Sequence, residues 1–182
     1  MITRDARIDR IIGRRSLRPR PVAFFDRIFG SDNDNGSNEL NEWLESTLKR
    51  ELKLDEIERD EDGDIPIRSG SAVVFIRAID DESPRIEIFA PLLEDFAMRP
   101  EVFEAVNAIN RKTPFAKATV NPEDPQILLS AELFIFDELS PDQLMATIDL
   151  IADRADHYDS LLQKRFGGTT MIDDDGDDEF DV

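Results

Sequence analysis

Ile65-Pro66-Ile67, Ala72-Val73-Val74-Phe75-Ile76-Arg77-Ala78-Ile79 and Arg85-Ile86-Glu87-Ile88 follow one another with only short breaks between them. The breaks are Ser69-Gly70-Ser71 and Asp80-Asp81-Glu82-Ser83-Pro84, both built from turn-forming residues. The middle run is β-branched and aromatic, which predicts a well-buried strand. Arg85 to Ile88 alternates polar with apolar, as a half-exposed strand does. Pro66 has no N–H to give a neighbour, so the first run suits an edge or the first position of a strand. Three strands with short turns predict an antiparallel meander.

Outward from the meander the pattern changes from period two to helical. Upstream, Leu40, Trp43, Leu44, Leu48 and Leu52 recur at helical spacing behind Ser37 and Asn38. They predict a helix over about 38–54 with one apolar face. Downstream, Pro100 opens a second helix with Val102, Phe103, Val106 and Ile109 turned inward, closed by Thr113-Pro114. Ala116–Val120 and Gln126–Phe136 then form a second hairpin across Asn121-Pro122-Glu123-Asp124-Pro125. On its second strand Ile127, Leu129, Ala131, Leu133 and Ile135 make one apolar face, with Ser130 and Glu132 on the other. Ser140-Pro141-Asp142-Gln143 has the composition of a capping box with proline at the first helical position. Leu144, Ile148, Ile151, Ala155, Tyr158 and Leu162 carry a long helix from there to Gly167-Gly168. The predicted order is α-β-β-β-α-β-β-α: an α+β fold in which helices cover an antiparallel sheet of about five strands.

The 182 residues hold 22 Lys+Arg against 41 Asp+Glu, a net charge of −19, and no cysteine. That charge opposes non-specific binding to a phosphate backbone by the chain as a whole. Disulfides, thiolate nucleophiles and zinc–sulfur sites are excluded outright. The charged start Met1–Asp9 lacks the apolar stretch of a secretory signal, and no run has membrane-spanning length. A cytoplasmic protein is expected. Charge is distributed unevenly. Residues 1–30 carry eight Arg and three Asp, a local +5 that leaves −24 for the rest. Three zones follow: an Arg-rich arm and linker over 1–36, an α+β body over 37–168, and an acidic tail over 169–182. The tail has seven acids in fourteen residues, a composition expected to stay disordered.

Four features of the body resemble the bacterial YbjN-like family and its relatives shaped like type III secretion chaperones. They are the Asp62-Gly63-Asp64 entry into the first strand, the Asn107-Ala108-Ile109-Asn110 sequence of the middle helix, the strand pair that follows it, and the long last helix ending in Gly167-Gly168. Together they span about 38–168. The resemblance implies a small non-enzymatic module that binds a segment of a partner protein, chaperone-like or regulatory, and commonly dimeric. The arm and the tail lie outside the pattern.

Other chemistry is thin. Asp60, Asp62 and Asp64 have the spacing of the first three ligands of a calcium loop. Ile65 then stands where glycine is needed and Ser71 where the bidentate glutamate should be, so no metal is expected. His157, the single histidine, has Asp153 one turn back. A surface ion pair is the expectation there, since no third group completes a catalytic set. Asn107 and Asn110 share one side of their helix, and a bond to a neighbouring loop backbone is expected. There is no glycine-rich phosphate loop before a helix and no nucleophile elbow. Neither a cofactor nor catalysis is predicted.

The functional expectation therefore rests on surfaces. Arg14, Arg15, Arg18 and Arg20 precede Phe24, Phe25 and Phe29 in the arm. This mixture suits docking on the chain's own acidic body, exchange within a dimer, or an outside partner. Phe89, Leu92, Leu93, Phe134 and Phe136 are the candidates for surplus apolar surface on the body. The predicted partner is a protein, with a homodimer expected and neither nucleic acid nor membrane. The alternatives are a ligand- or metal-sensing protein or an enzyme with an acidic pocket, and RNA or membrane docking through the arm.

Overall fold

The structure is a computed structural model that describes residues 8–11 and 38–172. The expected element order is present, with one strand added at the front. We number the elements β1 (Ile8–Ile11), α1 (Asn38–Leu52), β2 (Ile65–Ser69), β3 (Ala72–Ile79), β4 (Arg85–Glu94), α2 (Pro100–Lys112), β5 (Lys117–Asn121), β6 (Gln126–Phe134) and α3 (Pro141–Phe166). The strands form one antiparallel sheet in the order β1-β2-β3-β4-β6-β5. The sixth strand comes from the Arg-rich arm. Ile8 lies opposite Ser69 and Ile11 opposite Ile67, so β1 continues the sheet beyond β2. Arg and Asp alternate irregularly with Ile there, and a four-residue strand leaves almost no periodicity to read.

The faces of the sheet follow from register. Ile67 pairs with Val74, Ile76 with Ile88, and Ile88 with Ala131. Side chains opposite one another in a ladder share a face. These residues face the three helices and join the main core with Leu44, Leu48, Ile148, Ile151 and Leu162. The alternate residues Val73, Phe75, Phe89 and Leu128 form a second cluster on the face opposite the helices, with Met171 on it.

β4 extends six residues beyond the predicted Ile88, through Phe89-Ala90-Pro91-Leu92-Leu93 to Glu94. It lies between β3 and β6, and both its faces are covered, so a continuous apolar run replaces the alternation that would have marked it as a strand. A bulge between Pro91 and Leu93 puts one extra residue into β4 against β6. That is how the consecutive Leu92 and Leu93 both join the main core.

β6 ends at Phe134, two residues before the predicted end, and Phe103 is half-exposed rather than inward. The buried stripe of α2 is Val102, Ala105, Val106 and Ile109. One residue on from Val102 turns the helix by about 100°, which takes Phe103 off that stripe. The ordered body also runs past 168. Thr169 bridges Glu94, Glu94 N donates to Thr169 O at 2.9 Å, and Met171 is buried. Residues 173–182 lie outside the described part.

α3 starts on the capping box read from the sequence. Ser140 Oγ accepts from Gln143 N at 3.1 Å, and Ser140 N donates to Gln143 Oε1 at 3.2 Å. The middle-helix signature has a structural role through Asn110. Its amide donates to Ala118 O at 3.0 Å and its carbonyl accepts from Ala118 N at 2.6 Å, tying α2 to β5. Asn107 is exposed.

Candidate functional site: an acidic-rimmed aromatic groove

A groove of about 680 Å³ opens where the start of α1 meets the loop between β6 and α3. Leu40 and Trp43 line one side, Ile135, Leu139 and Pro141 the other, with Asp137, Glu138, Ser140 and Gln143 around them. Local structure fixes each wall. Leu40 and Trp43 stand on the first turns of α1, at the edge of the stripe whose centre, Leu44 and Leu48, is wholly buried. Ile135 is held by its N–H donating to Pro84 O at 2.9 Å. The Ser140 cap sets the entry of Leu139-Ser140-Pro141 into α3.

The groove wall carries two carboxylates and no basic side chain. Glu39 and Glu42 add further exposed acids on α1. Phe134 is 47% exposed and Phe136 95% exposed, their rings stacked 6.4 Å apart; Phe134 lies opposite Arg85 on the helix-free face, and neither ring lines the groove. An apolar floor with Trp43 in its wall and an acidic margin together favour an extended segment with apolar side chains between basic ones.

The other titratable groups are engaged in structure. On the helix-free face Arg77 lies 3.0 Å from Asp64 and 3.8 Å from Glu87, and Arg85 lies 3.3 Å from Glu87. Arg85 also lies 3.9 Å from Glu132, which Lys117 reaches at 3.4 Å, so ion pairs link Arg77, Glu87, Arg85, Glu132 and Lys117 in turn, with Glu87 and Glu132 opposite one another in the ladder. Burial pushes the Glu87 carboxyl up, opposed by Arg77 and Arg85. Burial also raises Asp159, against hydrogen bonds from Ser71 and Ser160. Ser71 fastens the β2–β3 turn to α3, its Oγ donating toward Asp159 at 2.8 Å and its N–H toward Asp156 at 2.7 Å. Asp60 of the calcium-like loop accepts from the N–H groups of Asp62 and Asp64, and Asp64 pairs with Arg77. Among the described residues no group of three or more His, Asp or Glu is arranged to hold a metal ion, and no helix is long and apolar enough to cross a membrane. The expected His157–Asp153 ion pair is not formed. Asp153 lies 3.9 Å from Arg154, and His157 packs edge-on against Tyr158.

The residues singled out from the sequence separate into three groups. Phe134 and Phe136 are open but do not line the groove. Phe89, Leu92 and Leu93 are fully buried within the chain, Phe89 on the helix-free face and the two leucines in the main core. Arg14, Arg15, Arg18, Arg20, Phe24, Phe25 and Phe29 lie outside the described residues. Sequence reasoning missed Leu40, Trp43 and Leu139 as a surface, because helical spacing marks a stripe without telling its centre from its edge. The available signal was a tryptophan at the rim of a stripe whose other members are all leucine.

Comparison with known proteins bears on this geometry. No curated protein matches the chain. The solved structure of the Yersinia pestis type III secretion chaperone SycH, in complex with a stable fragment of YscM2, is 24% identical. It covers 64% of this chain and 97% of its own, with a TM-score of 0.46. The ExsC–ExsE complex is 17% identical, covers 68% of this chain and 93% of its own, and has a TM-score of 0.52, a likeness of fold. Residues 38–174 match the family described as T3SS (YopN, CesT) and YbjN peptide-binding chaperone 1. That span takes in α1 through α3, the groove and the Thr169–Ile172 segment, and the chain belongs to this family of peptide-binding chaperones.

Proposed function

We propose that this protein is a non-catalytic chaperone that binds an extended segment of a partner protein, and that the groove at Trp43 is where the segment's apolar side chains enter. The observation that carries the reading is membership, over 38–174, of a family described as peptide-binding chaperones. The groove supplies the local chemistry. Leu40, Trp43, Ile135 and Leu139 take apolar side chains, and Asp137 and Glu138 attract basic neighbours. Nothing in this mechanism needs a cofactor or a proton transfer.

The same reading includes a homodimer. Phe103 on α2 and Phe115 just after it are 50% and 94% exposed, and β5 beside them is an edge strand of the sheet. Such surface suits burial against a second copy. Cytoplasmic residence completes the reading, since a chain without cysteine has no need of an oxidising compartment.

The test is an array of overlapping peptides from proteins retained by the full chain in a cytoplasmic extract. Binding should concentrate on segments with apolar residues flanked by Lys or Arg, and weaken with Trp43→Ala and Leu40→Asp. Uniform binding across the array, or none, contradicts the reading. Light-scattering mass at several concentrations, with and without Phe103→Ser and Phe115→Ser, decides the dimer.

A further inference from the structure

We propose that Ser71, Asp156 and Asp159 form a proton-dependent clasp between the β2–β3 turn and α3, fastened while Asp159 carries a hydrogen and slackened once it does not. Two ionised carboxylates would leave this contact one hydrogen short. Ser71 Oγ lies 2.8 Å from Asp159 Oδ2 and 2.9 Å from Asp156 Oδ1. A hydroxyl has one hydrogen to donate and lone pairs with which to accept. With both carboxylates charged, one of the two contacts sets lone pairs against lone pairs. A hydrogen on Asp159 Oδ2 supplies the missing donor. Asp159 then donates to Ser71 Oγ, and the Ser71 hydroxyl donates to Asp156. The remaining contacts have a hydrogen each: Ser71 N–H donates to Asp156 Oδ1 at 2.7 Å, and the N–H and O–H of Ser160 donate to Asp159 Oδ1.

Of the two carboxyls, Asp159 is the one placed to hold the hydrogen. It is buried, whereas Asp156 is exposed to water, which solvates its charge. Burial disfavours the charged form of Asp159, and the like charge of Asp156 adds to that, so its carboxyl stands above the ordinary 3.8. The turn brings no cation to offset this, since Arg68 is turned onto Gly70 O at 3.2 Å. On α3 the polar neighbours are Asp156, Ser160 and His157, and the His157 ring packs against Tyr158. The turn also fits closely under Asp156. Gly70 has φ +59°, and a Cβ there would collide with Asp156 Oδ1, so the carboxylate rests on the backbone of the turn. Loss of the Asp159 hydrogen leaves Ser71 able to serve one carboxylate and sets two negative charges around one hydroxyl. The clasp therefore holds below the raised Asp159 value and slackens as pH rises through it. Asp159 stands eighteen residues along α3 from Pro141 of the Trp43 groove, about 27 Å at a rise of 1.5 Å per residue, so the inference does not rest on the proposed function.

The test follows two nuclear magnetic resonance signals of the isotope-labelled full chain from pH 4 to 8. One is the Asp159 carboxyl carbon, which reports its titration. The other is the hydrogen-exchange protection of the Ser71 amide, corrected for the intrinsic pH dependence of exchange. Ser71 protection should fall several-fold in step with the Asp159 titration, while the Ile88 amide in the core of β4 keeps its protection. Asp159→Asn keeps a donor permanently beside Ser71 Oγ, so its Ser71 protection should stay high across the range. In Ser71→Ala, protection at position 71 should no longer follow Asp159. Ser71 protection that is flat through the Asp159 titration overturns the proposal, and so does a fall shared equally by Ile88, which is unfolding of the whole chain. An Asp159 carboxyl that titrates at or below 3.8 overturns it without any variant.

Discussion

Gly168 shows how one residue fixes the junction between α3 and the last strand-like segment. Its φ is +87°, and a Cβ there would run into the carbonyl oxygen of Glu94, which accepts the Thr169 N–H. Gly167 has φ +71° but open space around it. Each alanine substitution costs about 1–3 kcal/mol of backbone strain. Gly168→Ala adds the collision and is expected to cost more, as read from urea denaturation. Equal costs would mean the junction yields freely. Asp159 makes a second prediction at this scale. Burial raises its carboxyl above the ordinary 3.8, and burial raises Glu87 above 4.5. From those values upward the folded chain holds more protons than the unfolded one. Stability therefore falls as pH rises through that window and stays lower above it. Asp159→Asn removes one of the two groups, so its denaturation midpoint should fall less steeply from about pH 4 to 7 than the parent's. Parallel slopes would contradict the assignment.

Among the elements, β6 carries a buried apolar face one strand in from the edge strand β5. Leu129 is fully buried and sits between Ala90 of β4 and Ala118 of β5. Leu129→Ala is expected to cost about 2–5 kcal/mol. A cost near zero would remove β6 from the core. The segment after α3 gives a contrasting prediction. Thr169–Ile172 contributes a bridge to β4 and the buried Met171, so removing 169–182 should destabilise the chain measurably, whereas removing 173–182 should not lower stability. Composition alone marks all fourteen residues as acidic tail, because Thr169-Thr170-Met171-Ile172 is too short to show a period. The meander, the capping box and the α3 stripe were legible for the opposite reason: turn residues and apolar spacing agreed over long stretches. β4 was half legible. Its alternation ends where burial on both faces begins.

For the whole molecule, the sequence carried the α+β architecture and the family likeness, and both stand. The groove was not legible, because it is made by Leu40 and Trp43 meeting Ile135 and Leu139 across a wide gap in the chain. Only the fold brings those residues together. Charge acts at this scale as well. With −19 on the chain and acids at the groove margin, basic partner segments should bind more weakly as salt rises. The single tryptophan of the chain is Trp43, in the groove wall, so its emission reports occupancy without a label. The most direct measurement is a Trp43 fluorescence titration of the full chain with two unstructured peptides free of tryptophan. One alternates Leu and Phe with Arg, and the other has Glu in place of every Arg. The account predicts a saturable emission change with the first peptide, weakened by salt and abolished by Leu40→Asp, and none with the second. No change with either peptide, or the same change with both, would contradict it.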